Sequence, residues 1–247
     1  MGVALKQIRY GREALAPGHC LARHRHLAPY AIVMLRGTFD QAGYAGRIRL
    51  GAGELLVQPT LDCHVNHMAR TAGAVILRLP WHDVDDLGGV FALDDVDAIA
   101  RAAERDLRHA VAIAREQQAR ARACRTPGDL PDLLAAELGD RTVPSLAGWA
   151  ARMGVARETA SRAFALAFGV SARRFRAELA ARDAWLRIVR TGDRLADIAA
   201  HAGFADQAHM TRNVACLTGA SPAAWRRDDR VAAYRRQAAT PAADGTV

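Results

Sequence analysis

Lysine is almost absent from this chain: Lys6 is the only one in 247 residues, and arginine supplies the rest of the 34 basic side chains. Against 26 acidic residues this leaves a formal net charge of +8 and a pI near 10.1. A strongly basic protein favours a polyanionic partner. With 51% hydrophobic residues the chain also has enough apolar material to bury a core. The composition therefore favours a globular protein that binds nucleic acid.

Cysteine is scarce as well, and long apolar runs are missing. The four cysteines are scattered and form no C-x-x-C pair, which is typical of reduced thiols and argues against a disulfide framework or a zinc finger. No apolar run reaches the length of a membrane span, and the first segment, MGVALKQIRYGRE, lacks the apolar core of a signal peptide. We therefore expect a cytoplasmic protein without a membrane partner.

The order of sequence patterns along the chain predicts an α+β protein. From Ile8 to about Pro80, short apolar runs such as Ile32–Leu35 and Val75–Leu77 alternate with glycine and proline, which predicts strands of a sandwich or barrel. From Leu93 to Ala121 the apolar residues recur at spacings of three and four, which predicts one long helix. The break at Thr126-Pro127-Gly128 ends this helix, and helical patterns follow it.

The long predicted helix has two interpretations. Its apolar stripe either covers the open face of the strand domain or pairs with the same stripe of a second copy in a homodimer. The sequence leaves both open. The stripe consists of Leu93, Val96, Ala100, Ala103, Leu107, Val111 and Ala114.

One pattern occurs twice in the C-terminal part. In each copy a small residue allows close helix crossing, a glycine four residues later suits a left-handed turn, and an amphipathic stretch with arginine follows. The offset between copies is 49 residues before the turn and 50 after it, so the second turn is one residue longer. The pattern predicts two helix-turn-helix units, with an ordinary helical bundle as the alternative. The matching residues are Ala150, Gly154 and Arg162 in the first copy and Ala199, Gly203 and Arg212 in the second.

The second copy carries a more specific signature. On this signature the stretch from about 128 to 227 resembles the DNA-binding domain of the AraC/XylS family of bacterial transcription regulators. Ala208 stands where that family usually has Ser, which removes one hydroxyl contact to DNA, while Met210 and Val214 replace two Phe residues but stay apolar. The signature residues are Gly203-Phe204, Arg212, Gly219, Ser221-Pro222 and Trp225-Arg226.

The resemblance implies which side chains contact DNA. Arg162 and Arg212 are the strongest candidates for reading bases, because a guanidinium can bond both O6 and N7 of guanine. For each of them, a phosphate contact or simple solvation is the alternative. Two recognition helices on one chain would enter successive major grooves about 34 Å apart. The expected DNA-binding residues are Arg157, Glu158, Ser161, Arg162, Arg173, Arg174, Gln207, Ala208, His209 and Arg212.

Histidines in the N-terminal part follow another known pattern. Two segments, 18–37 and 53–68, resemble the two cupin motifs, and this implies a double-stranded β-helix. Tyr30 stands where cupin enzymes usually have Glu, Leu61 replaces a usual Gly, and Met68 replaces a usual Asn. The residues that match the motifs are Gly18, His24, His26, Gly37, Gly53, Pro59 and His64.

Two classes of ligand suit these positions. Because residues i and i+2 of a strand share a face, His24 and His26 can join His64 around one metal such as Zn, Cu, Fe or Ni, with His67 or Cys63 as further candidate ligands. The missing Glu favours instead a metal-free pocket for a small organic effector, lined by His24, His26, Tyr30 and His64. A solvated basic strand end, with Arg23 and Arg25 beside the histidines, is a third interpretation.

These observations predict the following organisation: residues 1–90 form a cupin-like β-barrel for effector binding, 91–127 a linker with a dimerisation helix, 128–236 an all-α DNA-binding domain, and 237–247 a disordered tail. The predicted function is sequence-specific, effector-controlled transcription regulation without catalysis or a required cofactor. Partners would be double-stranded DNA, a small effector, a second copy and, as a further candidate, RNA polymerase. Alternatives are a metal-dependent cupin enzyme, a metal-responsive sensor, or a DNA binder whose barrel only dimerises.

Overall fold

The computed structural model describes residues 4–82, 88–120, 123–124, 128–139 and 145–228. Within these ranges the chain forms two compact units that divide between Ala172 and Arg173. No helix in the described ranges is both long and apolar enough to cross a membrane. Thr126 and Pro127 of the predicted break, and the predicted tail at 237–247, lie outside the described residues.

Strands make up the first part of the first unit. The described strands are β1 (Ala4–Leu5), β2 (Gly11–Leu15), β3 (Cys20–Arg25), β4 (Tyr30–Arg36), β5 (Thr38–Gly43), β6 (Gly46–Gly51), β7 (Glu54–Gln58), β8 (Cys63–Met68), β9 (Ala74–Pro80), β10 (Gly89–Ala92) and β11 (Ala123–Cys124). One sheet has the order β1-β3-β8-β5-β6 and the other β11-β10-β7-β4-β9-β2. The predicted strands and the α+β class are therefore confirmed.

The two sheets enclose an apolar core. Side chains on β4 alternate between the two faces of their sheet, as the period of two requires. Ile32 and Met34 point into the core between the sheets, where they join Phe39 and Leu50 from the other sheet. Ala31 and Val33 lie on the opposite face, in a second cluster.

Helices α1 (Val96–Ala103) and α2 (Leu107–Arg120) correct one prediction, that of a single helix over 93–121. The chain breaks at 104–106, where Asp106 precedes α2: its carbonyl accepts from the Ala110 amide (3.1 Å) and its carboxylate accepts from the Arg108 amide (2.8 Å). The break lets the two helices pair, with the Gln117 side chain bonded to both the amide and the carbonyl of Asp95 (3.0 and 3.1 Å).

The helix pair covers the outer face of the six-stranded sheet. Ile99, Ala110 and Ala114 are fully buried there, in one cluster with Val33 and Leu79. The apolar stripe therefore covers the face of the strand domain, which was the first of its two predicted roles. The homodimer stays a prediction.

The remaining described helices form the two helix-turn-helix units. Helices α3 (Leu130–Gly139), α4 (Leu146–Arg152) and α5 (Arg157–Phe168) belong to the first compact unit. Helix α6 (Ala172–Arg190) starts at the boundary, and the second unit continues with α7 (Leu195–His201), α8 (Gln207–Thr218) and α9 (Pro222–Arg227). The first turn spans 153–156 and the second 202–206, so the predicted extra residue of the second turn is confirmed.

Local signals explain most of the helix ends. Ser145, Asp206 and Ser221 cap α4, α8 and α9, each side chain accepting from an amide three residues later. Helix α7 begins at Leu195 and follows Arg194 without a side-chain cap, and the Asp193 amide just before it donates to the Thr191 hydroxyl (3.2 Å).

Candidate functional site

Three histidine rings meet between the two sheets. His24 on β3 and His64 on β8 are direct partners in the antiparallel register, and His26 follows the last residue of β3. Ring centroids lie 4.4 Å apart for His24 and His64, 5.0 Å for His24 and His26, and 5.7 Å for His26 and His64. One ring nitrogen of each histidine lies within 4.8 Å of those of the other two. The structure therefore brings together the three histidines that the motif predicted.

Backbone carbonyls fix the orientation of these rings. The Nδ1–H of His24 donates to the Ala22 carbonyl (2.9 Å), and that of His26 donates to the Lys6 carbonyl (2.8 Å). Nδ1 of His64 lies 3.2 Å from the Asp62 carbonyl and 3.4 Å from a carboxylate oxygen of Asp62. A ring whose Nδ1–H is held in this way presents the lone pair of Nε2. Such outer hydrogen bonds are typical of histidines that bind metals.

Burial keeps the rings of His24 and His26 neutral. His24 is 2% exposed and His64 is 1% exposed. Burial, followed by the charge of His64, lowers the pKa of His24 to about 3, and the same two causes lower the pKa of His26 to about 4. Near neutral pH both imidazoles are therefore in the unprotonated form that a metal requires. The interpretation as a solvated basic strand end is wrong, because His24 and Arg25 are both buried.

Tyr30 completes the cluster from the opposite sheet. Its hydroxyl oxygen lies 3.4 Å from Nε2 of His64, and its ring centroid lies 4.9 Å from that of His26. Burial raises the pKa of the Tyr30 phenol, so this group remains neutral where cupin enzymes carry a carboxylate. The four predicted effector-binding side chains thus share one site.

Leu61 occupies a left-handed turn at the position where the predicted cupin motif would have a glycine. Its φ of 58° lies in the left-handed region, which costs a non-glycine residue about 1–2 kcal/mol. The side chain is fully buried, and the Leu61 amide donates to the His26 carbonyl (2.9 Å). Apolar burial offsets the backbone strain and holds the turn that leads into β8 and His64.

Two other candidate ligands lie outside the cluster. His67 is exposed, and its Nδ1 lies 3.3 Å from Sγ of Cys20. The thiol of Cys63 is buried and donates to the Leu61 carbonyl (3.8 Å). Among the described residues, the group able to hold a metal consists of His24, His26 and His64.

The helix-turn-helix units display most of the predicted DNA contacts on their surfaces. On α5 the side chains of Arg157, Glu158 and Arg162 are exposed and Ser161 is half-buried, while Phe164 packs inside. Helix α8 likewise has one buried side and one exposed side. Met210 and Val214 are buried, whereas the exposed predicted contacts are Gln207, Ala208, His209 and Arg212.

The two predicted DNA contacts at the start of α6, Arg173 and Arg174, differ in environment. Arg173 is exposed. Arg174 is half-buried, and its Nε donates to the carboxylate of Glu178 at 2.8 Å. Glu178 is 3% exposed, so Arg174 neutralises a buried charge, and this pairing raises the pKa of its guanidinium. Sequence reasoning missed this role, although Arg and Glu four residues apart on a helix are a known pairing signal.

A groove of about 770 Å³ lies beside α5 in the first unit. Arg47 and Arg49 on β6 line one side, and Leu166 on α5, which is 87% exposed, lines the other. Arg47 also forms ion pairs with Asp129 and Asp132 at the start of α3. Nothing in the local sequence pattern indicated this groove, because it forms only where strands and helices from distant parts of the chain meet.

Comparison with known proteins supports the assignment of the C-terminal part. Residues 149–228 match the family model described as "Helix-turn-helix domain". The matched segment is about a third of the chain and contains both turns, so the C-terminal part is a helix-turn-helix domain. No curated protein sequence matches this chain.

Three solved structures illustrate the similarity of this chain to known proteins. ToxT from Vibrio cholerae with a bound unsaturated fatty acid is 10% identical, covers 88% of this chain and 94% of its own, and has a TM-score of 0.38. The C-terminal domain of the response regulator AraT from Geobacillus stearothermophilus is 17% identical over 40% of this chain and 85% of its own, with a TM-score of 0.38. An AraC-type regulator from Chromobacterium violaceum is 19% identical over 44% and 91%, with a TM-score of 0.35.

Proposed function

We propose that the protein is a sequence-specific, DNA-binding transcription regulator of the AraC/XylS type, controlled by a ligand at the histidine cluster. The duplicated helix-turn-helix pattern is the observation that supports DNA binding. Helices α5 and α8 each follow a turn that contains a glycine, and each displays an exposed arginine at the equivalent position, Arg162 and Arg212. The match of residues 149–228 to the helix-turn-helix family model supports it. No catalytic step is part of this function.

The geometry of the histidine cluster favours a divalent transition metal as the ligand. Its three imidazoles are buried or half-buried, their Nδ1 atoms are occupied by hydrogen bonds, and the pKa values of His24 and His26 keep them unprotonated. Imidazole nitrogen suits Zn, Cu, Fe and Ni. A bound ion would supply a fixed positive charge held by His24, His26 and His64.

A small organic effector remains the second candidate for the same site. The neutral phenol of Tyr30 in place of a carboxylate favours it, because a metal held by an enzyme of the cupin class usually has that acidic ligand. A metal-dependent cupin enzyme is the rival from another class. It would also need metal at the cluster, but it would not need the exposed arginines of α5 and α8.

Regulation implies further partners. We include in the proposal a cytoplasmic location, a homodimer, and contact with RNA polymerase if the protein activates transcription. The location, the homodimer and the contact with RNA polymerase would all follow from the function of a bacterial regulator. Each can be tested separately in solution or in cells.

Selection of binding sites from a random pool of double-stranded DNA tests the function. Full-length protein should enrich a two-part site without two-fold symmetry, with the parts about one helical turn apart. If the pool shows no enrichment over nonspecific binding, sequence-specific regulation is excluded. Elemental analysis of the same preparation decides between metal and organic ligand without reference to DNA.

A further inference from the structure

The recognition helix α5 ends against the two strands that carry the histidine cluster. Gly169, its left-handed C-cap, is so close that an added Cβ would lie 3.9 Å from Cβ of Arg23 and 4.0 Å from Cβ of Val65. Arg23 directly precedes His24 on β3, and Val65 directly follows His64 on β8. One pair of strands therefore contacts the recognition helix on one face and supplies two ligands of the cluster from the other.

A directional contact fixes this arrangement. The Nη1 atom of Arg23 donates to the carbonyl oxygen of Phe168, the last residue of α5, at 3.1 Å. A guanidinium at this position is favourable, because the last carbonyls of a helix lack intrahelical partners and carry partial negative charge. The same guanidinium lies over the ring of Tyr44, with its Cζ 5.9 Å from the ring centroid.

A second connection runs through Asp62. One carboxylate oxygen of Asp62 lies 3.4 Å from Nδ1 of His64, and the other accepts a hydrogen bond from the Tyr44 amide at 2.9 Å. Asp62 is 4% exposed. Gly43 lets the strands approach here, because a Cβ at that position would lie 2.7 Å from the Asp62 carboxylate. Hydrogen bonds and one cation–π contact thus join His64 to the residue that holds the end of α5.

We propose that Arg23 is a positioning residue that transmits occupancy of the histidine cluster to α5, so that a metal ion there changes how the first helix-turn-helix unit reads DNA. This inference rests on the proposed function. An ion shared by His24 and His64 holds β3 and β8 together, which orders Arg23 against the Phe168 carbonyl. The groove beside Leu166 leaves one side of α5 uncovered, while its buried side packs against α3 and α4, so the contact of Arg23 acts on the C-terminal end of the helix.

The first test is hydrogen exchange on the full chain with and without Zn²⁺. The amide of Gly169 donates to the Ala165 carbonyl (2.9 Å) in the last turn of α5, and Zn²⁺ should slow its exchange. Arg23→Gln should abolish this slowing while Zn²⁺ content stays stoichiometric. Arg12→Gln, which changes an exposed arginine on the edge strand β2 of the other sheet, should leave the slowing intact.

The second test measures the ratio of DNA Kd values with and without Zn²⁺, using a site selected by the full chain. We expect a ratio of at least about fivefold in the unmodified protein, falling close to one in Arg23→Gln and unchanged in Arg12→Gln. The Zn²⁺ effect should also vanish in Arg162→Ala, which removes the base reader of α5, but persist in Arg212→Ala, which weakens the other unit.

The outcomes separate this inference from the function on which it rests. Normal Zn²⁺ binding and normal DNA selection with a Kd ratio near one would overturn the coupling alone. Retention of the full ratio in folded Arg23→Gln would overturn the role of Arg23. Failure to bind Zn²⁺ would overturn both the metal site and the coupling, and failure to select any DNA site would overturn the proposed function itself.

Discussion

Nε of Arg174 lies 2.8 Å from a carboxylate oxygen of Glu178, which is 3% exposed, one turn further along α6. Truncation of Arg174 would remove a charge-assisted hydrogen bond from this buried carboxylate. Arg174→Ala should therefore lower the free energy of unfolding by about 1–3 kcal/mol. Urea denaturation measures the loss.

Arg173→Ala is the matched control, because Arg173 is the exposed neighbour at the start of the same helix. It should change stability by less than about 0.5 kcal/mol while weakening DNA binding and flattening its salt dependence. Equal stability losses in the two variants would show that the pairing of Arg174 with Glu178 contributes little.

The metal content of the purified protein should depend on each single histidine of the cluster. Purified protein should contain nearly one equivalent of Zn, Fe, Cu or Ni, and His24→Ala or His64→Ala should remove it. His67→Ala should retain the metal, because His67 is exposed and lies outside the cluster. Elemental analysis of the folded variants gives the answer. Metal-free protein that is stabilised by an organic compound would instead favour the second ligand class.

The lowered histidine pKa values predict how the stability of metal-free protein depends on pH. The unfolded chain, with histidine pKa values near 6.5, takes up protons before the folded chain, in which the pKa of His24 is about 3 and that of His26 about 4. This contribution to stability is therefore complete above about pH 6.5 and is lost progressively as the pH falls toward 3–4. Urea denaturation of the unmodified protein and of His24→Gln at about pH 5 and about pH 7.5 checks it: the variant should lose less stability. If the free energy of unfolding changed equally with pH in the two proteins, burial of His24 would be contradicted.

The role of the α1–α2 pair can be tested at Ala114, which is fully buried against the six-stranded sheet. Ala114→Leu overfills this contact and should cost about 1–3 kcal/mol. The loss should be independent of protein concentration, because the contact lies within one chain. A stability loss that disappears at high protein concentration would place Ala114 in a dimer interface.

Periodic patterns and capping residues predicted much of the fold. The strands between Ile8 and Pro80, both glycine turns and the caps at Ser145, Asp206 and Ser221 follow from local rules that operate within a few residues. The break at 104–106 was not predicted, because the spacing of apolar residues continues through it and the local contact of Asp106 with the Arg108 amide gives a weaker signal. Domain boundaries at 90 and 127 stay a prediction.

The candidate site was predictable to a similar extent. The cupin-like spacing selected His24, His26, Tyr30 and His64, which the structure brings together, because the motif encodes which strands become neighbours. Arg23 and Asp62 were missed as functional residues. Their roles depend on a contact with Phe168, 145 residues from Arg23, and on a short turn before β8, and neither has a local sequence signal.

Reading of bases by Arg212 is the most direct test of the account. Binding of unmodified protein, Arg212→Ala and Arg173→Ala to the selected site and to random DNA should be compared by fluorescence anisotropy at one salt concentration. We predict that Arg212→Ala loses about 1–3 kcal/mol on the selected site, relaxes preference at one base pair and keeps its affinity for random DNA, whereas Arg173→Ala weakens both DNAs alike. Equal losses on the selected and random DNA for Arg212→Ala would contradict sequence-specific recognition by α8.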